Sequence, residues 1–469
     1  MDAKLLDKLT EAIDAGEHRS PNPAIGKPMP HVFYNGKNFY IPNNAGGWVS
    51  VDSRSARAFL VKQGFSSRRA DDEVQSEVDV MMIRIQTEHD VGYVGPLAGH
   101  VAGCHIMNGE RILATSSPKF IEPNPGNFPV VRAILDNLLG PKQLVYFFGW
   151  LKVALEMFRT CSWQPGQVLA LCGPVDAGKN LLRLIITSVL GGRVAFPHAH
   201  MIGQTNFNSD LFRAETLAIE DEQESVDIRA RRKFGAAIKN FAVNQDQRCE
   251  RKNQEALTLR VLRRLVISMN DEPERIQVLP PLDDDVADKL MIFKVEKRPM
   301  PVDTRTAAQK KAFWATIEAE LPMLVHFLER EWEIPEELRD NRYGVRHYHH
   351  PDLVGQLREM SPEGHLFEIV GEVVFNGDDI ERWEGTASAL EAKLCAENSR
   401  CAAKARKLLA YANTCGTYLG RLERQTNLVQ GHQVSGRTVW TILNPEHLKK
   451  EELRMLRRRD RPGRRKAAV

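Results

Sequence analysis

The stretch GPVDAGKN, Gly173 to Asn180, has the glycine, four-residue gap, glycine and lysine of a loop that wraps phosphate. Consecutive backbone amides and the positive end of a following helix would face a triphosphate, and Lys179 would reach its outer phosphates as a point charge. Gly173, Pro174, Val175, Asp176, Ala177, Gly178, Lys179 and Asn180 are therefore the candidate nucleotide-binding residues. Asparagine at 180 stands where a hydroxyl residue normally meets Mg²⁺, and its side-chain carbonyl is still a hard oxygen ligand. A bare pattern of this kind arises by accident in about one chain in ten of this length, so the loop alone decides nothing.

Two further groups supply what nucleotide chemistry needs. LAIEDE ends an apolar run on Glu220, Asp221 and Glu222, adjacent acids that repel one another unless a cation neutralises them. Asp221 with Asn180 is the candidate metal pair, and Glu220 or Glu222 the candidate that polarises water; their adjacency leaves that choice open. RLVISMN closes on Asn270, whose amide can sense a γ-phosphate or the attacking water. A solvated acidic loop and a turn-forming asparagine are the bland alternatives. The three signals follow one another in order between Gly173 and Asn270, which argues against coincidence.

These side chains need a scaffold. Gln167 to Cys172 is a short apolar run after Pro165-Gly166, as a buried parallel strand should be. ETLAIE and RLVISMN are two more such strands, and their alternation with helical stretches predicts an α/β sheet with its chemistry at the strands' carboxyl ends. Upstream, HVFYNGKNFYIP sets an Asn-Gly turn between two aromatic runs, a hairpin signal. GGWVSVDSRSARAFLVKQGF reads as strand then helix, and VGYVGPLAGHVAG as a glycine-broken loop region, giving a small α+β domain over 1–125. Past the proline-rich IEPNPGNFP, apolar residues at helical spacing form a collar that leads into a core domain over 126–300. KKAFWATIEAELPMLVHFLEREW puts Trp314, Ile317, Leu321, Leu324 and Leu328 on one stripe, the inner face of a helical lid over 301–375. Residues 376–450 read as three short helices and a two-stranded ribbon, a winged-helix pattern. Residues 451–469 are a flexible tail, whose stretch LRMLRRRDRPGRRKAAV sets eight basic residues against Asp460 as its lone acid.

A chain of 469 residues with 42% hydrophobic content supports several domains with real cores. Its net charge of +3 is too small for a global field, so nucleic-acid affinity must come from local patches. Seven cysteines without a C-x-x-C pair argue against a disulfide framework and a zinc ribbon, and for a reducing compartment. The opening MDAKLLDKLTEAIDAG reads as an amphipathic helix rather than a signal peptide, and the most apolar segment is too short to span a membrane and carries Lys152 and Glu156. A cytoplasmic chain without membrane contact is the expectation. The cluster Arg346 to His350 reads as surface loop, since adjacent histidines point apart. Arg229, Arg231 and Arg232 read as an exposed helix face or subunit contact.

The order of phosphate loop, acidic strand end, basic hairpin segment IKNFAVNQDQRCERKNQEALTL and Asn270 resembles that of superfamily 3 helicases, AAA+ motors of small viruses, phages and mobile elements. It is more closely similar to the primase-helicase proteins of phages and integrated elements, and SMNDEPERIQVLPPLDDDVADKLMIF resembles the segment that follows the asparagine there. The likeness covers residues 126–300 well and the flanks more loosely. It implies an AAA+ P-loop NTPase core between the small α+β domain and the winged-helix region. It also implies an ATP- and Mg²⁺-dependent DNA helicase or translocase, working in replication as a homo-oligomeric ring, a hexamer.

The resemblance further implies a hairpin that tracks single-stranded DNA, here the turn RKNQEA with Arg251 and Lys252, and Lys239 upstream. Arg421 and Arg424 of TYLGRLERQ are further nucleic-acid candidates, with double-stranded DNA as a second partner; a surface turn and a solvated face are the plain alternatives. The family's trans-acting arginine has Lys289 at its place, with Arg298 farther on, and a lysine lacks the planar fork. No alternating pair of aspartates for primer synthesis stands out before residue 126; SEVDVMM offers one aspartate. Two rival functions remain: an ATP-binding replication initiator or regulatory ring with little hydrolysis, for which Asn180 is the sign, and a monomeric small-molecule kinase.

Overall fold

Apolar periodicity sets the layout of a computed structural model that describes residues 27–69, 75–220, 228–276, 278–280, 282, 284–359, 361–376, 380–445 and 447. The chain divides into two compact units. The first runs through Met269 and resumes at Ala287–Tyr348; the second takes Asn270–Val286 and the chain from His349 on.

In the first unit the Asn35-Gly36 turn, with Gly36 at φ 85°, joins β1 (Phe33–Tyr34) to β2 (Phe39–Pro42), and β3 (Trp48–Val51) completes that sheet. The side chain of Asp52 caps α1 (Ser53–Lys62). The SEVDVMM run is helical: it opens α2 (Glu77–Glu88), where Ser76 and Asp79 form a reciprocal cap that satisfies first-turn donors. Ser76 and Arg57 together hold the Asp79 carboxyl down at about 2. The glycine-broken stretch beyond contains β4 (Tyr93–Gly95), which pairs with β6 (Glu110–Ala114), itself paired with β5 (Gly103–Met107).

The collar is α3 (Pro129–Thr160), bent where Gly140 leaves helical geometry at φ 66° and Pro141 follows. Behind it β7 (Val168–Cys172) is buried at every position, as a strand covered on both faces must be. In α4 (Lys179–Val189), Leu182, Ile185, Ile186 and Val189 form the buried face at helical spacing. Then come β8 (Val194–Ala195), β9 (Thr216–Glu220), α5 (Ile228–Val243), the hairpin of β10 (Asp246–Cys249) and β11 (Leu257–Arg260), β12 (Arg264–Met269) and β13 (Leu290–Lys294). The parallel sheet has the order β13-β7-β12-β9-β8. β7 is thus flanked by the two strands that the chain reaches last, and ligands of such sheets bind outside the carboxyl ends where the order reverses. Gln143 of α3 occupies the outer edge at β13, donating to Lys294 O and accepting from Lys294 N, both at 2.8 Å.

The segment beyond residue 300 packs into the first unit. In α6 (Ala307–His326) Ile317, Leu321 and Leu324 are buried against α3 together with Leu328, but Trp314 is exposed and Phe313 takes the inward place. The stripe is therefore phased on Phe313 rather than Trp314. Glu320 of α6 binds the amides of Val130 and Val131 at the first turn of α3, at 3.2 and 2.7 Å. A short hairpin of β14 (Arg339–Asp340) and β15 (Gly344–Val345) follows.

The second unit holds α7 (Pro351–Glu359), α8 (Pro362–Val374), β16 (Arg382–Thr386), α9 (Ala387–Cys395), α10 (Ala402–Leu408), α11 (Thr414–Gln425) and the ribbon β17 (Val429–Val434) and β18 (Arg437–Leu443). Leu366, Leu390, Leu419, Trp440 and Ile442 meet in its core. The three helices and the ribbon fall where helical and alternating patterns place them; β16, which pairs with β18 to give the order β16-β18-β17, is an addition. No described helix is long and apolar enough to cross a membrane. The Asp460 tail lies outside the described residues.

Glu320 is the group that closes the collar against α6, because it satisfies donors that a helix cannot satisfy itself. Glu320→Ala is expected to lower unfolding stability by about 1–3 kcal/mol, read as a fall in the urea midpoint with an unchanged slope.

Candidate nucleotide site

The phosphate loop leaves β7 at the carboxyl edge of the sheet. Gly173 N donates to Met269 O at 3.2 Å, tying the loop's first residue to the last residue of β12. A Cβ on Gly173 would lie 2.3 Å from Val295 O, so only glycine lets the chain beyond β13 pass this close. Ala177 N closes a turn onto Pro174 O, Asp176 takes φ 59°, and Gly178 at φ 100° is the N-cap of α4. That cap brings no side-chain acceptor to the first turn, whose amides have no intrahelical partner and suit an anion. Lys179 is buried, with Nζ donating to Gly173 O at 2.6 Å and Pro174 O at 2.8 Å. Asn180 is exposed on the first turn. A glycine-lined loop, a helix start without a side-chain cap and a buried ammonium form a donor set that fits a phosphate chain.

The other candidates distribute unevenly around this loop. Strand register sets Glu220 beside Ser268 and Met269 beside Cys172, so the ends of β9, β12 and β7 share one edge, with Glu220 about 10 Å across from the loop's root at ordinary strand spacing. Glu220 makes an ion pair with Arg183 of α4. Asp221 and Glu222 lie outside the described residues. Asn270 is the residue directly after β12. Among the described residues, no three metal-binding side chains converge, the Arg346–His350 cluster included. Tyr348 of that cluster is buried, its carbonyl accepting from Ile292 N at 2.7 Å, which departs from a plain surface loop.

Lys289 stands at the opposite edge. It precedes β13, is buried, pairs with Asp288 at 2.7 Å, and its carbonyl accepts from Val168 N at the start of β7. The length of β7 therefore separates it from its own chain's phosphate loop. Arg298, exposed and paired with Glu296, lies past the carboxyl end of β13.

The basic turn RKNQEA is the tip of the β10–β11 hairpin, with Asn253 at φ 57°. Its root is not detached: Cys249 and Leu259 share a core with Tyr93 and Ile112 of the N-terminal sheet. Arg251 braces the turn, donating to Gly92 O at 2.7 Å and Glu255 O at 2.8 Å, whereas Lys252 is exposed. Between this tip and β4 lies a polar cleft of about 520 Å³ lined by Asn35, Tyr93, Arg213, Arg251 and Lys252 among others. Lys239 is half-buried on α5, and the side chains of Arg229, Arg231 and Arg232 lie outside what is described. Arg421 turns inward on α11 to buried Glu363 at 3.5 Å, while Arg424 faces solvent.

Two residues escaped the motif reading. Arg183 sits one turn beyond Lys179, a spacing visible in the sequence once α4 is recognised. Lys297 donates to Val175 O at 3.2 Å and so lies on the phosphate loop, a placement that follows only from β13 running beside β7.

No protein-family model matches the sequence, and no curated protein does. Among solved structures, the chain is similar to the A-form apo structure of the NrS-1 C-terminal region (305–718), at 11% identity over 88% of this chain and 96% of that one, with a TM-score of 0.50. SCCmec type IV Cch, described as an active helicase, aligns over 89% of this chain and 70% of that one at 11% identity, with a TM-score of 0.29. A JCV helicase aligns over 43% and 60% at 13% identity, with a TM-score of 0.23. The last two superpose too loosely to bear on this chain. Its mixed α/β fold around a parallel sheet is shared with the NrS-1 C-terminal region.

Proposed function

We propose that the protein is an ATP-hydrolysing motor acting on DNA, a helicase or translocase of the superfamily 3 type, in replication of a phage or mobile element. The observation that carries this reading is the phosphate loop at the carboxyl end of the central parallel strand, with the acidic end of β9 and the Asn270 end of β12 on the same edge. In this reading the loop amides, Lys179 and Lys297 bind the phosphates, and Asn180 with Asp221 holds Mg²⁺. Bound Mg²⁺ would supply charge neutralisation of the phosphates. A carboxylate of the Glu220–Glu222 run orients water, and Asn270 senses the γ-phosphate; phosphoryl transfer asks for positioning and charge more than for covalent chemistry.

The single strand is assigned to the exposed cation Lys252 on the hairpin tip, with Arg251 as brace rather than contact. The region of α9, α10, α11 and the ribbon is read as a winged-helix module with Arg424 outward, and a hexameric ring as the working assembly. Asn180 favours one second reading, a ring that binds ATP but hardly turns it over, because a carboxamide replaces the hydroxyl beside the metal.

Steady-state ATPase with and without single-stranded DNA separates the two. A motor shows hydrolysis that single strands stimulate, that falls at least ~100-fold in Lys179→Ala, and that loses stimulation in Lys252→Ala. Binding without stimulated turnover in the folded oligomer favours the second reading. Gly173→Ala is expected to destabilise the fold by about 1–3 kcal/mol, since a methyl group must displace the Val295 carbonyl, and to weaken ATP uptake in calorimetry.

A further inference from the structure

Arg183 and Glu220 join two elements that the nucleotide reading treats separately. Arg183 follows Lys179 by four residues on α4, about 6 Å along the axis and on the same side. Its guanidinium meets the carboxylate of Glu220, the last residue of β9. The two side chains are 12% and 27% exposed, so water screens this pair far less than a surface one.

Glu220 opens a run of three acids, Glu220, Asp221 and Glu222. Three adjacent carboxylates repel one another, and a single divalent cation offsets two of those charges. Arg183 supplies the missing positive charge at the first acid. A carboxylate oxygen paired with the Nε of a guanidinium has less of its acceptor capacity left for a metal or a water.

We infer that Glu220 is an anchor and Arg183 a positioning residue: their ion pair ties the helix bearing Lys179 and Asn180 to the acidic end of β9, and leaves metal binding and water activation to Asp221 and Glu222. The inference rests on the nucleotide-motor reading and decides, within it, which acid does the chemistry. Lys179 grips the phosphates from one end of the first turn of α4, and Arg183 at the other end fixes how far that grip lies from the carboxylates. Loss of the tie misplaces the acids against bound nucleotide without removing a phosphate contact.

The test is ATP turnover by the full chain carrying Arg183→Gln, Glu220→Gln, both changes, Arg183→Lys, or Glu222→Gln, with magnesium–ATP binding measured calorimetrically on each. Circular dichroism checks that each variant is folded. Expected are kcat losses of about five- to thirtyfold in the first two variants, with KM for ATP within about twofold of the parent. The double change should be no worse than either single one, because both remove the same pair. Arg183→Lys should recover part of the loss, and Glu222→Gln should cost at least about a hundredfold. If Glu220→Gln abolishes turnover while Arg183→Gln leaves it near the parent, or if the two losses multiply in the double variant, the inference is wrong and Glu220 is itself the catalytic acid. A parent chain that takes up no magnesium–ATP overturns the motor reading and this inference with it. A parent that turns over ATP with multiplicative losses overturns the inference alone.

Discussion

Lys179 is a buried ammonium held at 2.6 and 2.8 Å by the carbonyls of Gly173 and Pro174, the first two residues of its own loop. Burying such a charge is unfavourable unless hydrogen bonds and a negative partner compensate. The two carbonyls supply hydrogen bonds, and the cap of α4 adds no side-chain acceptor to its first turn. Two further cations lie close to it: Lys297 lies on the loop from one flank, and Arg183 reaches from the next helical turn to Glu220 at the end of β9. The sheet serves this constraint by bringing the ends of β7, β9 and β12 to one edge.

The glycine that permits the arrangement is Gly173, pressed against Val295 O at a distance no side chain tolerates. Its environment is set by β13 lying beside β7, and β13 in turn is covered by Gln143 of the collar and by the Tyr348 carbonyl. The collar is itself closed by Glu320 from α6. A chain of contacts thus runs from a helix cap far along the sequence to the conformation of the phosphate loop.

Much of the central layout was legible because its signals are local. β7, β9 and β12 are short apolar runs with both faces buried, and the loop and α4 follow β7 without interruption, so period and punctuation sufficed. β8 is two residues long, and LMIFK of β13 is a short apolar run of a kind that suits helix or strand alike, so neither announced itself. Sheet edges are equally silent in one dimension. Lys289 and Arg298 are separated by nine positions, yet they lie before and after β13, toward opposite edges, and spacing could not say which faced the phosphate loop. Arg421, a nucleic-acid candidate or solvated cation by sequence, is an ion-pair partner of buried Glu363, since α8 supplies that carboxylate from a distant segment. The stripe of α6 was off by one residue, Phe313 for Trp314, because both are large and apolar and only the packing of α3 chooses between them.

The most direct measurement is isothermal titration of the full chain with ATP in the presence and absence of magnesium. Grip by the loop amides and Lys179 requires saturable uptake of one nucleotide per chain, strengthened by the divalent ion and lost in Lys179→Ala. Heat flow indistinguishable from buffer dilution in folded protein, with or without magnesium, would contradict it.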